Sequence, residues 1–308
     1  MKLYAETAGL RARQLLGDLA TLAWTAAWVA AGLTLYRLVE RLAVPGARVE
    51  QAGSDFAGDV AEIQQKVGRV PVVGGDLQGP FGRLAGVGRT LADAGATVVA
   101  SLVGRSPEEF GRLAARLSGE PAVALVEVNL SCPNVEHRGE VFATDPAAAA
   151  GVVRAVKRAT GIPVLAKLTA DVTDLVAVAR AVTDAGADGL TLINTLLGMA
   201  VDTRTRRPRL AAVTGGLSGP AIRPVAVRCV WQVAQALPGV PIVGTGGIVS
   251  ADDAAEFLLV GATAVAVGTG NFINPRAVVE VADGLERYLA AAGVTSPAEL
   301  PALFKAER

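Results

Sequence analysis

Histidine and cysteine are almost missing from this chain. It has one of the first, His137, and two of the second, Cys132 and Cys229. A single histidine with no CxxC pair cannot assemble a four-ligand zinc site. Two isolated cysteines give no disulfide framework and suit a reducing compartment. Net charge is lacking as well: 29 Lys and Arg balance 29 Asp and Glu. That balance argues against a nucleic-acid binder driven by phosphate neutralisation. What the chain does have is glycine, 35 of 308 residues, and a hydrophobic share of 51%. The composition is that of a Gly-turned, Val/Ala-rich α/β protein, with room for one barrel or two smaller domains.

Charge is also absent from Leu19 to Tyr36, LATLAWTAAWVAAGLTLY. Such a run, as a helix, spans about 27 Å, close to a hydrocarbon core. Lys2, Arg11 and Arg13 precede it, and Arg37 and Arg41 follow. Basic residues on both sides give no firm orientation. The run predicts a membrane helix; a buried helix of an alanine-rich soluble protein is the alternative reading. Residues 45–92 are Gly-rich and polar, with Pro45, Pro71 and Pro80. They read as an amphipathic helix over about 52–68, a turn, and a weaker helix over 81–94.

From residue 96 the rhythm changes. Short apolar runs alternate with amphipathic stretches. Strands are expected at 96–102, 124–131, 163–169, 189–195, 241–247 and 264–270, and helices at 107–118, 146–160, 174–185, 219–236, 251–260 and 275–292. Continuous apolar strands separated by helices imply a parallel sheet covered by helices. The pattern is an α/β fold, most of a (β/α)₈ barrel, with six recognisable strands in place of eight. Segments 185–189 (AGADG) and 260–264 (VGATA) read as helix-to-strand turns.

Polar residues gather where these strands end: Asn129 and Cys132, Lys167, Asn194 and Thr195, Gly246 and Gly247, Gly268 and Thr269. In a barrel that rim is where sites are built. The stretch LVEVNLSCPN (125–134) delivers Asn129, Ser131, Cys132 and Asn134 into one loop. A cysteine between carboxamides is a candidate base beside a flat polar substrate; a loop cysteine among turn-forming asparagines is the plainer alternative. The glycines after the last two strands match a phosphate cradle, where a missing Cβ admits the ligand to backbone N–H groups. A side chain at Gly247 is then expected to displace the phosphate and leave the fold intact. Lys167 is expected to point inward, either toward a reduced cofactor's negative charge or simply to a carboxylate. The long segment 198–219, GMAVDTRTRRPRLAAVTGGLSG, is expected to be a functional loop.

Taken in order, VEVNLSCPNV, VLAKLTADVTD, LINTLLGMAVD, TGGLSGPAIRPVAVR, VGTGGI and VAVGTGNF resemble class 1 dihydroorotate dehydrogenase. The subclass that partners an iron–sulfur flavoprotein subunit is nearest. The resemblance covers about residues 95–292. It implies an FMN-binding TIM barrel that oxidises dihydroorotate to orotate in pyrimidine biosynthesis. It implies Cys132 as the base that takes the C5 proton, while the hydride from C6 passes to FMN. Asn129, Asn134, Asn194 and Thr195 would hold the substrate. Asn129, Lys167, Ile193, Gly219, Gly246, Gly247, Gly268 and Thr269 would hold FMN. The implied partners are dihydroorotate, an iron–sulfur/FAD electron-transfer subunit and a second copy of the chain, with no nucleic acid. The catalytic part is expected in the cytoplasm, tethered through residues 19–36.

Residues 1–94 depart from that family's pattern. Its first two barrel strands, a lysine they carry and an Asn-x-x-Gly-Leu loop have no counterpart there. The segment resembles an actinobacterial membrane protein. A division near residue 95 is therefore expected, between a 1–94 membrane-helix and linker segment and a 95–308 barrel domain lacking two strands. An inactive tethered remnant, or another FMN-barrel pyrimidine oxidoreductase, is the alternative.

Overall fold

A computed structural model describes residues 97–130 and 142–305. All of these belong to the second of the chain's two units, Gly79–Arg308. The apolar run at 19–36, the expected helices at 52–68 and 81–94 and the division at 95 lie outside the described residues. Among the described residues no helix is long and apolar enough to cross a membrane.

Six parallel strands form the sheet: β1 (Val98–Leu102), β2 (Val123–Asn129), β3 (Val164–Leu168), β4 (Gly189–Leu192), β9 (Ile242–Thr245) and β10 (Ala264–Ala266). Their spatial order is β1-β2-β3-β4-β9-β10. All six fall where the apolar runs predict them. The helices between are α1 (Pro107–Leu117), α2 (Pro146–Ala159), α3 (Leu175–Asp184), α4 (Arg223–Ala236) and α5 (Ala251–Leu259); α7 (Ala277–Ala292) follows the last strand, after the short α6 (Gly270–Ile273). Each N-terminus has a local cause. Ser106, Asp145 and Asp174 accept backbone N–H groups in the first turns of α1, α2 and α3. Ser250 and Asp253 form a reciprocal capping box on α5.

Side-chain alternation divides the sheet into two unlike faces. Val126, Val128, Val164, Ala166, Leu190 and Ile242 are fully buried and pack with the helices in one core. Gly244 lies on this face with Ile242, where a Cβ would stand 2.6 Å from the Phe257 ring. The opposite face carries Ser101, Glu127, Asn129, Lys167, Thr191 and Thr245 in parallel register across β1, β2, β3, β4 and β9. Hydrophobic burial, about 1.5–3 kcal/mol per large side chain, fills the helix side, while the opposite, inner face mixes these polar residues with Val99, Leu125, Leu165 and Val243. Among the described residues β1 is bonded only to β2, and β10 only to β9.

Segment 198–219, expected as a long functional loop, carries two antiparallel strand pairs. β5 (Leu196–Met199) pairs antiparallel with β8 (Thr214–Leu217), and β6 (Val201–Asp202) with β7 (Arg207–Pro208). A tight turn closes the inner pair, with Asp202 Oδ1 accepting from the Arg204 and Thr205 N–H groups. This excursion leaves the barrel directly after Thr195 and returns at Ser218, so it brackets the rim.

Candidate active site

The rim begins with β2 and the segment after it. Asn129 is the last residue of β2, and Leu130 O accepts from Ala143 N–H at 3.3 Å. Cys132 and Asn134 lie outside the described residues. Phe142, where the description resumes, packs edge-on against the Phe110 ring of α1, with centroids 6.1 Å apart.

Asn194 sits two residues past β4. Its N–H donates to Leu168 O at 2.8 Å, while the N–H of Ile193 donates to Thr245 O at 3.0 Å. The strand end is thereby tied to β3 on one side and β9 on the other. The Asn194 side chain then works in both directions: Nδ2 donates to Asn129 Oδ1 at 3.1 Å, and Oδ1 accepts Thr195 N–H at 2.8 Å. Three expected site residues are therefore one connected group. The Thr195 side chain packs where a Cβ on Gly216 would stand 2.4 Å from its hydroxyl. Gly216 is thus required for this rotamer, a role no single-residue pattern discloses.

Lys167 points to the inner face as expected. Its Nζ lies 3.4 Å from Glu127 Oε1, and Ser101 Oγ donates to the same oxygen at 3.1 Å. Of the two expectations for Lys167, the carboxylate partner is the one present in the structure. Thr191 neighbours Lys167 in register, and its Oγ1 is buried without a hydrogen-bond partner. Glu127, Ser101 and Thr191 were not singled out from sequence, since each reads as an ordinary alternating strand residue.

The glycines form the third part. Gly219 and Gly247 have φ of +88° and +77°, which glycine adopts at no steric cost. A Cβ at Gly247 would come 2.6 Å from the Gly219 carbonyl oxygen and 3.0 Å from Pro220 Cα. The expectation that a side chain at Gly247 spares the fold is therefore corrected: both neighbours are backbone and cannot move aside. Gly246, at φ +138°, faces Ala226 of α4 at 2.8 Å. Gly268 differs, since a Cβ built there meets nothing within 4 Å. Beside it, Thr269 Oγ1 donates to Ser218 Oγ at 2.8 Å. The three turns at 218–219, 246–247 and 268–269 thus converge, with Gly268 leaving open space. Asp253 fixes the middle turn by accepting from the Val249 and Ser250 N–H groups and pairing with Arg223.

Lys167 and the unsatisfied Thr191 hydroxyl lie on the inner face, and Gly268 leaves open space at the rim, which suits a cofactor with a flat polar ring and a phosphate. Cys229 is buried in α4, and burial pushes its thiol up, against the opposing pull of Arg228.

Comparison with known proteins agrees with this architecture. A dihydroorotate dehydrogenase family model matches residues 54–289, beginning upstream of residue 95. The dihydroorotate dehydrogenase B (NAD(+)) catalytic subunit of Geotalea daltonii is 56% identical over 208 residues, 68% of each chain. Its counterpart from Trichlorobacter lovleyi is 47% identical over 270 residues, 88% of this chain and 81% of that one. A solved dihydroorotate dehydrogenase from Eimeria tenella, in complex with ferulenol, shares the fold with a TM-score of 0.54 at 22% identity. That alignment covers 64% of this chain and 58% of the solved one. FMN is the cofactor that goes with this family. With its six parallel strands, converging glycine turns and a matched span of most of its length, the chain belongs to the dihydroorotate dehydrogenase family.

Proposed function

We propose that this chain oxidises dihydroorotate to orotate with FMN, supplying a step of pyrimidine biosynthesis. The observation that carries the reading is the Asn129–Asn194–Thr195 group beside the inward Lys167. Carboxamides offer both donors and acceptors, which is what the amide edges of a dihydropyrimidine ring require. Asn129, Asn194 and Thr195, with Asn134, bind and orient the substrate ring. Cys132 removes the C5 proton as general base, and the bound substrate shields it from bulk water. Bound FMN supplies the hydride acceptor for C6. Lys167 places its positive charge on the inner face, where the cofactor gains negative charge. Ile193, Asn129, Gly219, Gly246, Gly247, Gly268 and Thr269 hold the cofactor, the glycine turns around its phosphate.

The relatives are named as NAD(+)-linked catalytic subunits, which supports a separate iron–sulfur/FAD subunit as the electron outlet here. A cytoplasmic catalytic unit, paired with a second copy, fits that arrangement. The apolar run at 19–36 supports a membrane tether, and resistance of the full chain to carbonate extraction decides it. The alternative is a weakly active or inactive chain. Reduction of the bound flavin by dihydroorotate, measured on the purified full chain, separates the two.

A further inference from the structure

The inner face holds one charged pair that the proposed chemistry does not by itself explain. Glu127 lies on β2, one register step below Asn129, and its side chain is 14% exposed. Burying a carboxylate costs free energy unless it is paired and hydrogen-bonded. Here both conditions are met from the flanking strands: Lys167 of β3 at 3.4 Å and Ser101 of β1 at 3.1 Å, both on Oε1. Three adjacent strands thus converge on one carboxylate oxygen, and its cationic partner among the described residues is the lysine expected to face the flavin.

We propose that Glu127 is a positioning residue that sets how much positive charge Lys167 presents to bound FMN, and so poises the flavin's reduction potential. The proposal rests on the reading of Lys167 as a flavin-facing cation. The physics is direct. A full unneutralised ammonium favours the reduced, more negative cofactor over the oxidised one. A carboxylate on its far side offsets part of that field and holds the ammonium in one place. Substrate oxidation gains from a high potential, while onward transfer to an acceptor gains from a low one. A fixed counter-charge sets the compromise.

The test is the midpoint potential of FMN bound to the full chain, for wild type, E127Q, K167M and the double variant. E127Q keeps the shape of the side chain and removes its charge. It should tighten binding of reduced over oxidised FMN about tenfold, raising a two-electron potential by about 30 mV. K167M should lower the potential, and E127Q should add nothing in that background. E127D, which retains the charge, should return the potential most of the way to wild type, which a merely structural role for residue 127 would not produce. If K167M lowers the potential and E127Q leaves it unchanged, the role of Glu127 is overturned and the placement of Lys167 stands. If K167M itself has no effect, Lys167 does not face the flavin and both readings fall. An equal shift from E127Q with and without the lysine also overturns the proposal.

Discussion

Asn194 reaches across β3 to Asn129, its Nδ2 donating to the Asn129 Oδ1 at 3.1 Å. One hydrogen bond thereby sets the spacing of two groups 65 residues apart in sequence. Asn194→Ala removes this bond and the one that orients the Thr195 N–H. Loss of two partly buried hydrogen bonds should cost about 1–3 kcal/mol of stability, read from a denaturant midpoint. FMN content should hold, while KM for dihydroorotate should rise by about tenfold or more, as for a contact worth about 1.4 kcal/mol in binding. An unchanged KM would remove Asn194 from the substrate site.

Glycines 247 and 268 should respond in opposite ways. Gly247→Val drives a Cβ against the Gly219 carbonyl in a left-handed backbone, and should yield little folded protein. Gly268→Val adds bulk to open space. Its thermal unfolding after FMN removal should match that of parent protein treated the same way, while its FMN dissociation constant should rise at least about tenfold. A Gly268→Val protein that retains stoichiometric flavin would move the phosphate elsewhere.

The two cysteines should differ as sharply. Cys132→Ser should slow flavin reduction by dihydroorotate at least ~10²-fold, a typical general-base contribution, and move its pH optimum upward. Cys229 is 1% exposed with its thiol pushed up by burial. In native protein it should resist alkylation at neutral pH and react only on unfolding, and Cys229→Ala should leave the reduction rate at the parent value. Rapid labelling of Cys229 in the folded state would contradict its assignment to the core.

Asp188 gives the acid limb of stability a specific origin. Burial works against its ionisation, but the Lys157 ammonium at 2.8 Å and the Val164 N–H at 2.7 Å hold its carboxyl below the ordinary range. A lowered folded-state pKa means the contribution is full above the unfolded value, near 3.9. It is lost as pH falls through the lower folded value. Asp188→Asn should therefore destabilise the chain at pH 7 and flatten the stability loss below about pH 4. Parallel stability–pH curves for the two proteins would refute this.

What the sequence disclosed follows from the range of the interactions involved. Strands such as Val164–Leu168 and Gly189–Leu192 are continuous apolar runs, and the helices between them start at Ser, Asp and Pro signals that act within one turn. Asn129, Lys167 and Asn194 were legible because the ends of parallel strands share one rim. Glu127 was not, since its meaning lies in lateral register with Ser101 and Lys167 and not in its own neighbours. The antiparallel pairs inside 196–217 escaped for a related reason. Their strands are two to four residues long and one reads TGGL, too short and too glycine-rich to show a period.

The most direct test of the whole account is anaerobic addition of dihydroorotate to the purified full-length chain while its flavin absorbance is followed. The account predicts yellow protein with about one FMN per chain, bleached by dihydroorotate and restored by an electron acceptor, with orotate formed in proportion. Colourless protein that takes up no added FMN, or a bound flavin that dihydroorotate leaves oxidised, would contradict it.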